Sequence, residues 1–127
     1  MRMNPEIKAK WIAALRSGKY EQCTGMLHKK GDGFCCLGVL CDLKGSTWEP
    51  SADPTDPKSE QMVTDEGRSM DLPDSVMAWA GLIGTSPVVN ISRIYETLDG
   101  GEYSCLAELN DNGMTFSEIA DIIEEEL

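Results

Sequence analysis

Cys23, His28, Cys35, Cys36 and Cys41 fall within 19 residues, the densest gathering of metal-binding and nucleophilic side chains in the sequence. Zinc needs four nitrogen or sulfur ligands converging on one point, usually from closely spaced pairs. Cys36 and Cys41 are five apart in a run that reads as helix, which puts them on different faces, so no metal and no other cofactor is expected. A Cys–His dyad needs an imidazole beside the thiol. His28 is the only histidine, with Cys23 or Cys35 as its available partners. It sits next to Lys29 and Lys30 in what reads as an exposed hairpin, so a surface histidine is the expectation. The cysteines number five, an odd count, and the adjacent Cys35 and Cys36 rarely meet disulfide geometry with each other. Reduced, mostly buried thiols follow.

Other chemistry leaves weaker traces. The carboxylates lie mostly in loops and at the C-terminal end, and none form a pair with visibly different environments. Gly31-Asp32-Gly33 and Gly100-Gly101 match no phosphate-cradling motif. Residues 106–123 can be read as helix-turn-helix around Asn112-Gly113. The would-be recognition helix carries Glu118, Asp121 and Glu124 and no base, which is electrostatically wrong for phosphate. A calcium-loop reading of 108–119 fails at its twelfth position, where Ile119 replaces the bidentate Glu.

Charge is the stronger signal. Eleven bases against 22 acids give a net −11, segregated along the chain. Residues 1–30 hold seven bases and two acids, whereas 31–127 hold four bases and 20 acids. A net acidic chain is repelled by nucleic acid at long range, so no nucleic-acid partner is expected. The basic segment can still hold a small anion. Arg16, Lys19, Lys29 and Lys30 are the candidate phosphate contacts, and Trp11, Tyr20 and Tyr95 the candidate stacking residues.

The elements that would position these residues are partly legible. Asn4-Pro5-Glu6 reads as a helix cap, a proline at the first helical position and a first-turn acid. Ile7, Trp11 and Leu15 then recur every four residues to Ser17-Gly18, so a helix is expected over 5–16. Short extended pieces broken by glycine turns predict one or two hairpins over 19–34. The apolar run 34–43, closed by Gly45, is taken as a central buried helix entered from a strand. Pro50, Pro54 and Pro57 mark a loop over 49–60. A short strand pair is expected in 62–70, and a helix from Leu72-Pro73-Asp74 to Gly81. Residues 88–89 and 91–98 read as extended, with a turn at Asp99-Gly100-Gly101. Thr115-Phe116-Ser117-Glu118 is a capping box that opens a last helix. The three glutamates 124–126 oppose its dipole and should fray.

Phe34-Cys35-Cys36-Leu37-Gly38-Val39-Leu40-Cys41-Asp42 also aligns with Tyr103-Ser104-Cys105-Leu106-Ala107-Glu108-Leu109-Asn110-Asp111, matching in kind at six offsets. An internal duplication of a strand-into-helix unit is one reading, and reuse of a common helix-entrance alphabet is the other. Either way Cys36 and Cys105 should face the core.

The string Trp11-Ile12-Ala13-Ala14-Leu15-Arg16-Ser17-Gly18-Lys19-Tyr20-Glu21-Gln22 and Cys35-Cys36-Leu37-Gly38-Val39-Leu40-Cys41-Asp42-Leu43 resemble a group of small phage and prophage accessory proteins. Leu72-Pro73, Trp79 and Gly81-Leu82 extend the likeness, as do Leu109-Asn110-Asp111, Gly113-Met114, Phe116 and Glu118-Ile119-Ala120-Asp121, so that it covers most of the chain outside 49–70. Its members carry no assigned activity, so no catalytic residue transfers. The resemblance implies an accessory phage product working in the host cytoplasm.

The expectation is one α+β domain over 1–127, a small, mainly antiparallel sheet packed with about four helices. A longest apolar run of eight residues is too short for a membrane helix, and no membrane partner is expected. The expected function is non-enzymatic antagonism of host antiviral defence. In one form the protein sequesters an anionic signal of the cyclic nucleotide or ADP-ribose type. In the alternative its acidic face blocks a host defence protein as a nucleic-acid mimic, and a small enzyme of unknown reaction is the third reading. Homo-oligomerisation is compatible with the first form, because such ligand sites often form between protomers, and nothing in the sequence requires it.

Overall fold

The computed structural model describes residues 3–24, 26–29, 33–45, 47–50, 62–64, 72–82, 88–90 and 103–127. Helix α1, Pro5–Arg16, starts where Asn4 Oδ1 accepts from the Glu6 N–H at 2.9 Å. It buries Ile7, Trp11 and Leu15, the stripe its four-residue spacing requires. The short strands β1, His28–Lys29, and β2, Gly33–Phe34, pair antiparallel, and β2 leads directly into α2, Cys36–Lys44. Strands β3, Trp48–Pro50, and β4, Met62–Thr64, form a second antiparallel pair. Helix α3, Asp74–Ala80, follows. A third antiparallel pair joins β5, Val88–Asn90, to β6, Tyr103–Cys105. The chain closes with α4, Leu106–Asp111, and α5, Phe116–Glu126.

The domain is therefore α+β and antiparallel, as its sequence implies, with five helices and three two-stranded ladders among the described residues. Helix α2 is its centre. Every residue from Cys36 to Cys41 is buried, and α1, α3 and α4 pack around it. Such an apolar run has no solvent face to give it periodicity. It is a helix because both ends are capped. Cys35 Sγ accepts from the Gly38 N–H at 3.4 Å, and Gly45 turns left-handed at φ 93° after the last turn.

Two close approaches fix how the 19–34 segment lies on α2. The Leu27 carbonyl accepts from the Cys35 N–H at 2.9 Å and presses on Gly38, where a Cβ would sit 1.9 Å from that oxygen. At Gly33, with φ 132°, a Cβ would stand 2.2 Å from the Glu21 carbonyl oxygen. Only glycine fits at either position. The buried Asn110 side chain joins the same layers. Its Oδ1 accepts from Gln22 Nε2 at 2.9 Å and from the Cys36 N–H at 3.2 Å, and its Nδ2 donates to the Cys23 carbonyl at 2.8 Å.

Several expectations are corrected. Strand β4 pairs with β3, so Glu49 and Pro50, expected in a loop, belong to a strand. Helix α5 runs to Glu126, through the glutamates expected to fray, and Arg16 bridges Asp121 and Glu124 on it. Cys36 is fully buried, but Cys105 is only half-buried, since it is the cap of α4 and not its first core residue. The two aligned strand-into-helix units thus share their order but enter their helices one residue apart. Residues 51–60, 65–70 and 91–101, with their expected loop, strand and turn, lie outside the described residues.

Gly38→Ala should cost about 3 kcal/mol, at the upper end for forced overpacking. Gly45→Ala, left-handed but in open space, should cost only about 1 kcal/mol. Urea unfolding of the two variants measures the difference.

Candidate functional site

The register of β1 and β2 places His28 opposite Phe34, and the two rings stack with centroids 3.9 Å apart and planes within 7°. Trp48 meets both edge-on, at 5.0 Å from His28 and 5.8 Å from Phe34. Tyr20 meets Phe34 edge-on at 5.2 Å. All four rings are half-buried and pack as a corner beside the main core. Asp42, in the last turns of α2, holds the corner together. Its carboxylate accepts from the Tyr20 hydroxyl at 2.7 Å and from Trp48 Nε1 at 3.3 Å.

Burial, reinforced by the Asp42 carboxylate, pushes the Tyr20 phenol up to about 12, so it donates to Asp42 throughout the neutral range. His28 Nδ1 lies 2.7 Å from the Gly33 carbonyl. A carbonyl can only accept, so Nδ1 donates in this contact. The thiols are equally quiet. Burial pushes Cys35 up to about 12 and Cys36 well above its ordinary value, which removes the thiolate that nucleophilic chemistry needs. Among the described residues no group of three or more His, Cys, Asp and Glu side chains could hold a metal ion.

The candidate residues named from sequence meet different fates. Tyr20 is in the corner, Lys19 is exposed beside it in the chain, and Lys29 follows His28 on β1. Trp11 is corrected: it is wholly buried, and its indole N–H donates to the Cys36 carbonyl at 2.9 Å, so no ligand can stack on it. Arg16 is also corrected. It bridges Asp121 at 2.5 Å and Glu124 at 2.9 Å on α5, and those hydrogen bonds, Glu124 first, raise its already high pKa. Its charge is spent within the chain. Lys30 and Tyr95 lie outside the described residues. His28, expected on an exposed hairpin, is half-buried under Phe34 and Trp48.

Sequence reasoning missed Phe34, Asp42 and Trp48 as members of one site. The hairpin spacing carries a signal for His28 against Phe34. None exists for Asp42 with Tyr20, which are 22 residues apart and meet only through the fold.

A capped, helix-packed α+β domain with a half-exposed aromatic corner is the class these observations define. The chain belongs to the family described as Domain of unknown function (DUF8296), whose model matches residues 3–127. No curated protein and no solved structure matches it.

A folded chain should leave Cys35 and Cys36 unmodified by a thiol reagent at pH 8, with both reacting on unfolding. These thiols and the Tyr20 phenol hold their protons beyond the pH at which the unfolded chain releases them. They therefore leave stability unchanged below about pH 8.5, and stability falls as the pH climbs from there towards 12. Thermal melts across that range test the sign.

Proposed function

We propose that this domain binds and sequesters an anionic, ring-bearing small molecule of the cyclic nucleotide or ADP-ribose type, without transforming it. The observation that carries the reading is the aromatic corner. The chain has eight aromatic residues, and Tyr20, Phe34 and Trp48 gather with its only histidine at one half-exposed place. Exposed ring surface of this kind is where planar ligands stack. Lys19, exposed and next to Tyr20 in the chain, is the candidate charge for a phosphate, whereas Lys29 follows His28 on β1, where successive side chains take opposite faces. The contact of His28 Nδ1 with the Gly33 carbonyl and the hydrogen bond of Tyr20 to Asp42 hold two of the rings in place, which lowers the ordering cost of binding.

The resemblance of the Trp11 to Gln22 and Cys35 to Leu43 strings to small phage and prophage proteins supports reading such sequestration as an act against antiviral signalling in the host cytoplasm. A rival reading rests on a separate observation. Glu118, Asp121, Glu124, Glu125 and Glu126 are all exposed on α5, a face that could block a basic surface of a host defence protein.

Calorimetry with ADP-ribose and with a cyclic dinucleotide tests the proposal. Binding should fall roughly 10- to 100-fold in Trp48→Ala, as loss of one stacked ring costs about 1–3 kcal/mol. Lys19→Ala should weaken it further, and the same changes should abolish rescue of phage growth on a defended host. Absence of binding to either ligand, together with loss of rescue on reversing the α5 acids, would establish the rival instead.

A further inference from the structure

The chain has four asparagines, and they differ sharply in their openness to spontaneous deamidation. In that reaction the backbone nitrogen of the following residue attacks the side-chain amide carbon. Asn4 precedes Pro5, which has no N–H to give up, and its Oδ1 caps α1. Asn90 lies in the β5–β6 ladder opposite Tyr103 and precedes Ile91, a β-branched residue that crowds its own nitrogen. Asn110 is fully buried, with its amide bonded to Gln22, Cys23 and Cys36. Asn112 differs from all three. It is exposed and ends α4 as its C-cap. The next residue is Gly113, left-handed at φ 95°, with open space where a Cβ would stand.

We propose that Asn112-Gly113 is a self-modification site, which converts without an enzyme to aspartyl and isoaspartyl forms. The Gly113 nitrogen bonds to Asn112 Cγ, the Cγ–Nδ2 bond breaks, and ammonia leaves with the proton that Gly113 gave up. A cyclic succinimide results. Water then adds to one of its two carbonyls and opens the ring. One opening gives aspartate, and the other gives an isoaspartyl link in which the main chain runs through the side-chain carbon. No oxidant or reductant takes part.

The fold sets the pace of the first step. With Asn112 at ψ 7°, the Gly113 N–H donates to the Asn110 carbonyl at 3.2 Å, so attack waits for the turn to open. That opening is local and exposed, and costs far less than unfolding the domain. The product then acts on the core. A carboxylate at residue 112 adds negative charge to the end of a helix whose last turn has no base. The isoaspartyl form also lengthens the backbone just before Met114, which is buried and whose carbonyl accepts from Gln22 Nε2 at 2.7 Å. Modification thus weakens the Gln22–Asn110 network, independently of any ligand at the aromatic corner.

Peptide mapping of the full chain after long incubation at mildly alkaline pH reads the result, with an isoaspartyl methyltransferase assay beside it. Both should place the change at residue 112, with the isoaspartyl form in excess and the other three asparagines intact. Urea, which opens the turn, should speed the reaction. Asn112→Gln, which would need a larger ring, should release almost no ammonia. The modified fraction, separated by its added charge, should unfold at lower urea than the parent. An Asn112 amide that survives in the folded chain while the unfolded chain loses it overturns the proposal, and so does earlier loss at Asn90 or Asn110. A modified fraction as stable as the parent overturns the link to the buried network.

Discussion

One buried amide, the side chain of Asn110, ties together parts of the chain that lie far apart in sequence. It is fully buried, so its donors and acceptors must be satisfied by protein. The partners it finds are Gln22, the Cys23 carbonyl and the Cys36 N–H. These lie 74 to 88 residues away in sequence. Gln22 Nε2 donates onward to the Met114 carbonyl at 2.7 Å, which brings the turn between α4 and α5 into the same network. Leaving any of these buried groups without a partner costs about 1–3 kcal/mol. The orientation of the amide thereby selects one mutual placement of the 20–34 segment, α2 and α4.

That placement makes the aromatic corner possible. With residues 22 and 23 anchored, the Leu27 carbonyl descends onto Gly38 and caps the approach to α2. The hairpin then carries His28 and Phe34 out to the C-terminal half of the helix, where Asp42 collects Tyr20 and Trp48. On the opposite side Trp11 locks α1 onto the start of α2 through the Cys36 carbonyl. The residues able to do chemistry are therefore the residues that hold the fold. Cys35 caps a helix, Cys36 donates to the Leu106 carbonyl at 3.6 Å, Tyr20 serves Asp42 and His28 serves Gly33. A domain whose reactive groups are committed in this way offers a shaped, rigid surface.

Local physics was legible in the sequence and distant physics was not. The helix over 5–16 and the box opening at Thr115 were readable because their caps and periodicity lie within a few residues of each other, and both stand as expected. The turn glycines Gly45 and Gly81 could be placed for the same reason. Trp11 illustrates the opposite case. Its spacing showed that it faces inward, yet an aromatic next to basic residues also fits a stacking role, and only the Cys36 carbonyl decides between them. Arg16 was counted as free charge because its partners, Asp121 and Glu124, are more than 100 residues downstream. Of the site, Tyr20 and Lys19 could be named in advance. Asp42 and Trp48 could not, since nothing local links them to Tyr20, which lies 22 residues from Asp42 and meets it only through the fold.

The central claim is that the Asn110 amide sets the placement on which the aromatic corner depends. The chain has a single histidine, so the ring protons of His28 report on the corner without ambiguity, shifted by the stacked Phe34. Urea titration of Asn110→Ala, followed through those signals, tests the claim most directly. The account expects a loss of about 3 kcal/mol or more, because several buried groups are orphaned together. It also expects the His28 signals to move towards their unfolded positions before the helices melt. A variant within about 0.5 kcal/mol of the parent, with its His28 signals unmoved, would contradict it.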